Sequence, residues 1–213
     1  MTGNAAHRIL VRMGSLMKEN RERLIDLDAT IGDGDLGLTM ERAFSAAAEL
    51  DASAGDDAGA HFMKAGMAMA KAAPSTMGTL MGTGFMRGGK AIKGQTVGSL
   101  ESLASFFRAF NDGIMERGKS KPGGKTIVDL LDPVATAMEQ GSAEQDEAEV
   151  FVRRISDTVE RARDAIANMM SQHGKAAIYR DQTIGNPDPG AEAGALLVQC
   201  VLEALLDGDL DEE

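Results

Sequence analysis

The chain has 213 residues, of which 43% are hydrophobic, so it can bury a core and is not a wholly disordered protein. Its net charge of −11 and the lack of a Lys/Arg block exclude the basic face that a nucleic-acid-binding protein needs. One Cys, no N-terminal apolar signal core and no long charge-free apolar stretch predict a cytoplasmic protein, without a disulfide within the chain and without a membrane span.

Apolar residues recur with helical spacing along nearly the whole chain, and no segment alternates with the period of a strand. The pattern predicts about eight helices, near residues 4–26, 37–50, 57–72, 76–93, 99–117, 126–140, 144–173 and 189–206. We therefore expect an all-α fold in which residues 1–206 form one domain. The acidic run Asp207 to Glu213 is predicted to be a solvated C-terminal tail.

An acidic, glycine-rich run follows the first predicted helix and contains Asp28, Asp33 and Asp35. Three like charges this close repel, and a divalent cation would neutralise them. Oxygen ligands without a nearby His or Cys favour Mg²⁺ over Zn²⁺, and Mg²⁺ held by a few carboxylates usually binds phosphate as well. Gly37 and Thr39 open the next helical run, whose N-terminal amides suit phosphate oxygens. The plainer alternative is a polar turn between helices.

Two familiar nucleotide or metal motifs do not account for the chain. An EF-hand requires Glu at position 12 of its loop, where this chain has Thr39 or Phe44, depending on which Asp begins the loop. One glycine run has Walker A spacing, but Ala91 stands where Ser or Thr must bind Mg²⁺. The run Gly124–Thr126 ends like a Walker A motif, but Gly118 is one residue out of register.

Two later segments allow both a structural and a functional interpretation. The run Pro74 to Gly84 is dense in Gly, Ser and Thr, which either packs helices closely or offers amides and hydroxyls to phosphates. Lys175 lies in an irregular stretch that ends at Asp188-Pro189-Gly190, a sequence typical of a helix N-terminus. The three histidines are far apart and are predicted to lie at the surface, so no general base is apparent.

Together, four segments resemble the ADP-binding L subunits (DhaL type) of dihydroxyacetone kinases. They are Asp28 to Met40, Pro74 to Gly82, Pro122 to Thr126 with its continuation, and Gly174 to Gly190. The resemblance implies a single-domain barrel of eight antiparallel helices that binds a nucleotide at one end. It also implies a kinase subunit that transfers a phosphoryl group to an alcohol.

The resemblance assigns catalysis and metal binding to Asp28, Asp33 and Asp35, which would hold two Mg²⁺ against the phosphates of ADP or ATP. Nucleotide contacts carry over to Leu36, Gly37, Leu38, Thr39, Ser75, Thr76, Met77, Gly78, Gly123, Lys175, Asp188, Pro189 and Gly190. Three of these depart from the family pattern. Leu36 replaces a common His, Lys175 replaces a common Arg and loses its bidentate fork, and Met77 lacks a hydroxyl that Ser75 or Thr76 would have to supply.

In that family the sugar is held by a separate K-type subunit, so the resemblance predicts a partner of that kind and a short ketose as acceptor. Two phosphoryl sources stay open: ATP exchanged in each cycle, or bound ADP recharged by a phosphocarrier M-type subunit. The subunit count also stays open, with a homodimer among the alternatives. A different function, a catalytically silent nucleotide sensor that regulates a partner such as a transcription factor, is the second hypothesis. A plain helical scaffold would leave the aspartates unexplained.

Overall fold

A computed structural model describes residues 3–52, 57–95 and 97–210. Within these ranges the chain forms α-helices and one 3₁₀ segment, with no β-strand, which confirms the predicted all-α fold. The helices are α1 (Gly3–Glu19), α2 (Arg21–Ile31), α3 (Leu36–Ala48), α4 (Ala58–Ala72), α5 (Thr76–Ala91), α6 (Leu100–Gly118), α7 (Ile127–Ala143), α8 (Ala148–Ala167) and α9 (Pro189–Leu206), and the 3₁₀ segment is Lys175–Thr183.

Two predicted helices have different bounds in the structure. The first is broken at Asn20, whose side-chain amide donates to the carbonyl oxygen of Leu16 at 3.0 Å and competes with the regular helical pattern. The second part, α2, extends to Ile31, so Asp28 lies on the last turn of a helix, whereas the sequence predicted a loop there. The helix predicted over 144–173 spans Ala148–Ala167, and residues 168–173 lead irregularly toward the 3₁₀ segment.

Consecutive helices pack against one another from α3 to α8, and α9 returns to contact both α7 and α1. This order of contacts closes on itself and is compatible with the predicted barrel. Phenylalanines from α3 to α6 form the aromatic part of the core, with ring centroids 5.1–6.3 Å apart. They are Phe44, Phe62, Phe85, Phe106, Phe107 and Phe110.

The C-terminal helix α9 lies in the core. It is long and apolar enough to cross a membrane by length and composition, but 78% of it is buried within the fold, as expected for a core helix. Cys200 on this helix is buried.

The segment after α9 corrects the prediction of a solvated tail for its first four residues. Asp207 and Asp209 accept hydrogen bonds from Arg12 at 2.7 and 2.8 Å, and Leu210 is buried. Residues 211–213 lie outside the described residues. An arginine on α1 and an apolar anchor thus fix a segment whose composition alone suggested solvation.

Candidate functional site

A cavity of about 520 Å³ opens at one end of the helices. Four helices, α3, α5, α7 and α9, begin at this cavity, and their first residues line it: Leu36, Thr76, Ile127 and Pro189. The N-terminus of a helix carries free N–H groups and the positive end of the helix dipole. Four such termini around one cavity make a favourable environment for a polyphosphate.

The acidic side of the cavity is formed by the end of α2 and the short turn before α3. Asp28 Oδ2 accepts N–H bonds from Asp35 at 3.0 Å and Leu36 at 3.2 Å, so this carboxylate shapes the turn. Asp35 stands at the N-cap position of α3 without a side-chain capping bond. The carboxylates of Asp28, Asp33 and Asp35 therefore converge, and one oxygen from each lies within 4.8 Å of the others.

This donor set fits Mg²⁺. Opposite ligands of one octahedral Mg²⁺ are about 4 Å apart, so small side-chain movements would let these three oxygens share one ion or bridge two. Asp33 and Asp35 are exposed and Asp28 is partly exposed, which leaves room for the water and phosphate ligands that Mg²⁺ retains. Asp33 also forms an ion pair with Lys175, which reaches it from the 3₁₀ segment. Because both side chains are substantially exposed, this pair contributes little to stability.

The loop before α7 forms part of the opposite wall and is fixed by Asp129. The Asp129 carboxylate accepts the N–H of Gly123 through Oδ1 and the N–H of Thr126 through Oδ2, the latter at 2.7 Å. Thr126 caps α7 in return, completing a capping box. Gly123 has φ +98°, a left-handed conformation that glycine adopts without a steric penalty.

Two charged residues of the cavity lining are buried in this wall. Lys125 is 1% exposed, and its ammonium donates to four backbone carbonyl oxygens. Burial lowers the pKa of Lys125, against the opposing attraction of Asp188. Burial raises the pKa of Asp188 to about 7, while the N–H of Ala191, which it caps at 2.8 Å, and the charge of Lys125 oppose the rise.

The structure brings most of the predicted site residues to this one cavity. Those that line it are Asp28, Asp33, Asp35, Leu36, Ser75, Thr76, Met77, Lys175, Asp188, Pro189 and Gly190. They come from four distant parts of the chain, so their convergence is a property of the fold.

Five predicted contacts lie outside the lining: Gly37, Leu38, Thr39, Gly78 and Gly123. Gly37 packs α3 on α2, where an added Cβ would lie 2.1 Å from a backbone carbonyl oxygen. Thr39 lies behind Ser75, with their hydroxyl oxygens 3.4 Å apart, and the Gly78 N–H donates to Ser75 Oγ at 3.1 Å. These two residues support the lining from behind.

Sequence reasoning missed several lining residues, among them Leu80, Ser120, Lys125 and His173. His173 is exposed and lies against Gly124, 49 positions earlier, so no local pattern could place it at the cavity. Among the other histidines, His61 is buried, which corrects its predicted surface position; burial and nearby His7 lower its pKa.

Comparison with known proteins identifies relatives across nearly the whole chain. Residues 30–203 match the model of the DAK2 domain. The chain is 34% identical over 191 residues to the ADP-binding subunit DhaL of the PEP-dependent dihydroxyacetone kinase of Escherichia coli, covering 89% of this chain and 91% of that one. It is 33% identical over 199 residues to the corresponding subunit of dihydroxyacetone kinase 1 of Listeria innocua, covering 93% and 94%.

A solved structure has the same fold. The dihydroxyacetone kinase of C. freundii, in complex with AMP-PNP and Mg²⁺, superposes with a TM-score of 0.67 at 22% identity. The match covers 93% of this chain and 33% of that chain, so this chain spans about a third of the larger protein.

Proposed function

Because this chain belongs to the DAK2-domain family, we propose that it is the nucleotide-binding subunit of a dihydroxyacetone or related short-ketose kinase, working in the cytoplasm. One observation carries the proposal: three carboxylates and four helix N-termini line one cavity. This arrangement pairs oxygen ligands for a divalent cation with backbone donors for the polyphosphate that such a cation accompanies.

Asp28, Asp33 and Asp35 would hold Mg²⁺ beside the phosphates of ADP or ATP. The bound cation would supply charge neutralisation as negative charge spreads over the transferred phosphoryl group. The N-termini of α3, α5, α7 and α9 would orient the phosphate chain, with Ser75 and Thr76 as nearby hydroxyl donors. Lys175 would contribute a second positive charge beside the carboxylates, since its ammonium contacts Asp33.

The acceptor would be a hydroxyl of a short ketose that a K-type partner subunit presents to the cavity. The family resemblance supports the identity of the acceptor, because the side chains proposed above bind the cation and the phosphates, and none of them is assigned to the sugar. We expect the partner to hold and activate the sugar. An M-type phosphocarrier that recharges bound ADP would make the nucleotide a cofactor.

The regulatory alternative has no support in the relatives reported above, which are named as kinases or kinase subunits. Retention of the nucleotide separates the two phosphoryl sources. If ADP copurifies with the protein and survives dialysis, the phosphocarrier route is supported; if it exchanges freely with ATP, the direct route is supported.

The test of the kinase proposal is phosphoryl transfer to small ketoses, measured with and without a K-type partner from the same source. We expect turnover only with Mg²⁺ and the partner together, and a loss of at least about a thousandfold in Asp33→Ala. Full activity of Asp33→Ala in the reconstituted complex would contradict the kinase role. A nucleotide that binds without turnover with any K-type partner would favour the sensor instead.

A further inference from the structure

Lys125 occupies an unusual chemical environment for a lysine. Its side chain is 1% exposed, and its ammonium contacts the carbonyl oxygen of Thr183 and those of Asn186, Met169 and Ala167, the last three at 2.8, 3.1 and 3.2 Å. An ammonium has three N–H donors and no acceptor, so these four carbonyls share all its donors. Buried charges are usually paired with an opposite charge, whereas this one is solvated by backbone.

The backbone at Lys125 is also strained. Its φ is +54°, in the left-handed region that favours glycine, although a long side chain stands there. The contacts of the ammonium must offset both this conformation and the burial of the charge. The side chain is therefore a structural element of the site and not an ordinary surface lysine.

The four carbonyls come from two segments that meet behind the cavity. Ala167 is the last residue of α8, and Met169 follows it, so their carbonyls belong to the helix end that carries unpaired acceptors and a negative dipole. Thr183 ends the 3₁₀ segment, and Asn186 precedes the start of α9. Lys125 itself belongs to the loop that leads into α7. Its ammonium thus joins three segments at one point.

The same three segments supply much of the cavity lining. The lining residue Thr126 follows Lys125 directly, and His173 follows the end of α8. In the sequence, the lining residues Lys175 and Asp188 flank Thr183 and Asn186, which supply two of the carbonyls. Neutral hydrogen bonds at the junction, such as the one from Gln172 Nε2 to the Gly123 carbonyl at 2.8 Å, reinforce it but carry no charge. Loss of the ammonium would leave the Met169 and Asn186 carbonyls without the donor that it supplies, whereas the Ala167 and Thr183 carbonyls would keep the N–H groups of Gly185 and Asn186 at 2.8 and 3.3 Å.

We infer that Lys125 is a positioning residue: its ammonium gathers the four carbonyls and so holds the 3₁₀ segment, with Lys175, against the nucleotide. The inference rests on the proposed function, because the ligand positioned is the magnesium complex of ADP or ATP. It adds a residue of the cavity lining whose ammonium is directed to backbone carbonyls and which acts through the wall that it assembles.

The test uses Lys125→Met, which keeps the length of the side chain and removes its charge. We expect about tenfold weaker binding of MgADP by calorimetry, because the wall loses charge-assisted hydrogen bonds that fix its position. With the K-type partner, KM for MgATP should rise by a similar factor while kcat changes less. Amide hydrogen exchange over residues 175–186 should become faster in the ligand-free protein.

Met138→Ala is the matched control, since Met138 is buried on α7, about 16 Å along the helix from its start at the cavity. This variant should lower the melting temperature through a core cavity and leave MgADP affinity unchanged. Lys125→Gly is a second variant, in which the strained backbone relaxes and the carbonyls surround an open space. Ammonium chloride should restore part of its MgADP affinity, whereas tetramethylammonium chloride, too large for the space, should not.

Wild-type affinity and unchanged exchange in Lys125→Met would overturn the inference, as would equal responses of Lys125→Gly to the two salts. If the wild-type protein itself fails to bind MgADP, the proposed function fails instead. The exchange comparison over 175–186 still tests Lys125 in that case, because it requires no ligand.

Discussion

The two sides of the cavity carry their charges in opposite ways. On the acidic side, Asp33 and Asp35 are exposed and make no capping bond. On the far wall, Lys125, Asp129 and Asp188 are buried, and each is bonded to backbone groups. Exposed carboxylates add little to folding and remain available to a ligand, whereas the buried charges hold the backbone that shapes the cavity. Charged side chains thus have two roles at this cavity: the exposed ones are available for ligand binding, and the buried ones stabilise the backbone around it.

The sharpest way to break this comparison is to make the same substitution on each side. Asp35→Asn should reduce phosphoryl transfer by about a thousandfold, because it removes a carboxylate that we propose as a cation ligand. Its free energy of unfolding should stay within about 0.5 kcal/mol of wild type, since an exposed side chain with no bonded partner is lost. Activity with the K-type partner and urea unfolding of the free subunit measure the two effects.

Asp129→Asn is the counterpart on the far wall. The amide that replaces one carboxylate oxygen would face an N–H group, so one of the two bonds to Gly123 and Thr126 is lost, and the Thr126 bond is part of the capping box. We expect a loss of about 2 kcal/mol in the free energy of unfolding. The comparison fails if Asp35→Asn proves as destabilising as Asp129→Asn, or if Asp129→Asn unfolds like wild type.

A second test uses pH and Asp188. Its pKa is about 7 in the folded protein and near 4 in the unfolded chain, so the folded state binds the proton more tightly. The resulting stabilisation is fully present below pH 4 and is lost as pH rises through 7. Asp188→Asn keeps an N-cap residue for α9 without the titration. Relative to this variant, wild type should lose about 2–3 kcal/mol of stability between pH 5 and pH 8.

Urea unfolding at both pH values, without nucleotide, measures this difference. Burial also lowers the pKa of His61 in both proteins, which makes stability rise with pH and opposes the Asp188 effect. Only the difference between wild type and Asp188→Asn isolates Asp188. A difference that does not change with pH would show that Asp188 is ionised in the folded protein throughout this range.

The division between the two sides also explains what the sequence could predict. The helices and the aspartate run are local patterns: apolar spacing of 3.6 residues, and like charges within a few positions. Lys125 and His173 have no such signal, because their roles depend on carbonyls and glycines more than 40 positions away. The break at Asn20 gives no signal in the sequence, because apolar spacing continues across it. The attachment of the segment from Asp207 gives none either, because the bond from Arg12 and the burial of Leu210 exist only in the folded protein.

The smallest expected effect concerns Met77, which belongs to neither the acidic side of the cavity nor the far wall. It lines the cavity at the start of α5, and its methyl carbon would lie 2.9 Å from a Cβ added to Gly190, so the thioether packs toward the far wall. Met77→Ser places a hydroxyl beside the backbone N–H groups that we propose as donors to the nucleotide phosphates. One added neutral hydrogen bond should tighten MgADP binding by about threefold, at a small cost in packing.

Met67→Ser is the matched control for this substitution, because Met67 is an exposed methionine on α4 and should leave binding unchanged. Calorimetry with MgADP distinguishes the outcomes. Tighter binding would mean that the position belongs with the acidic side and serves the phosphates. Weaker binding would mean that the thioether supports the far wall, since removing it frees Gly190 and the start of α9. The sign of a small change thus assigns this position to one side of the cavity.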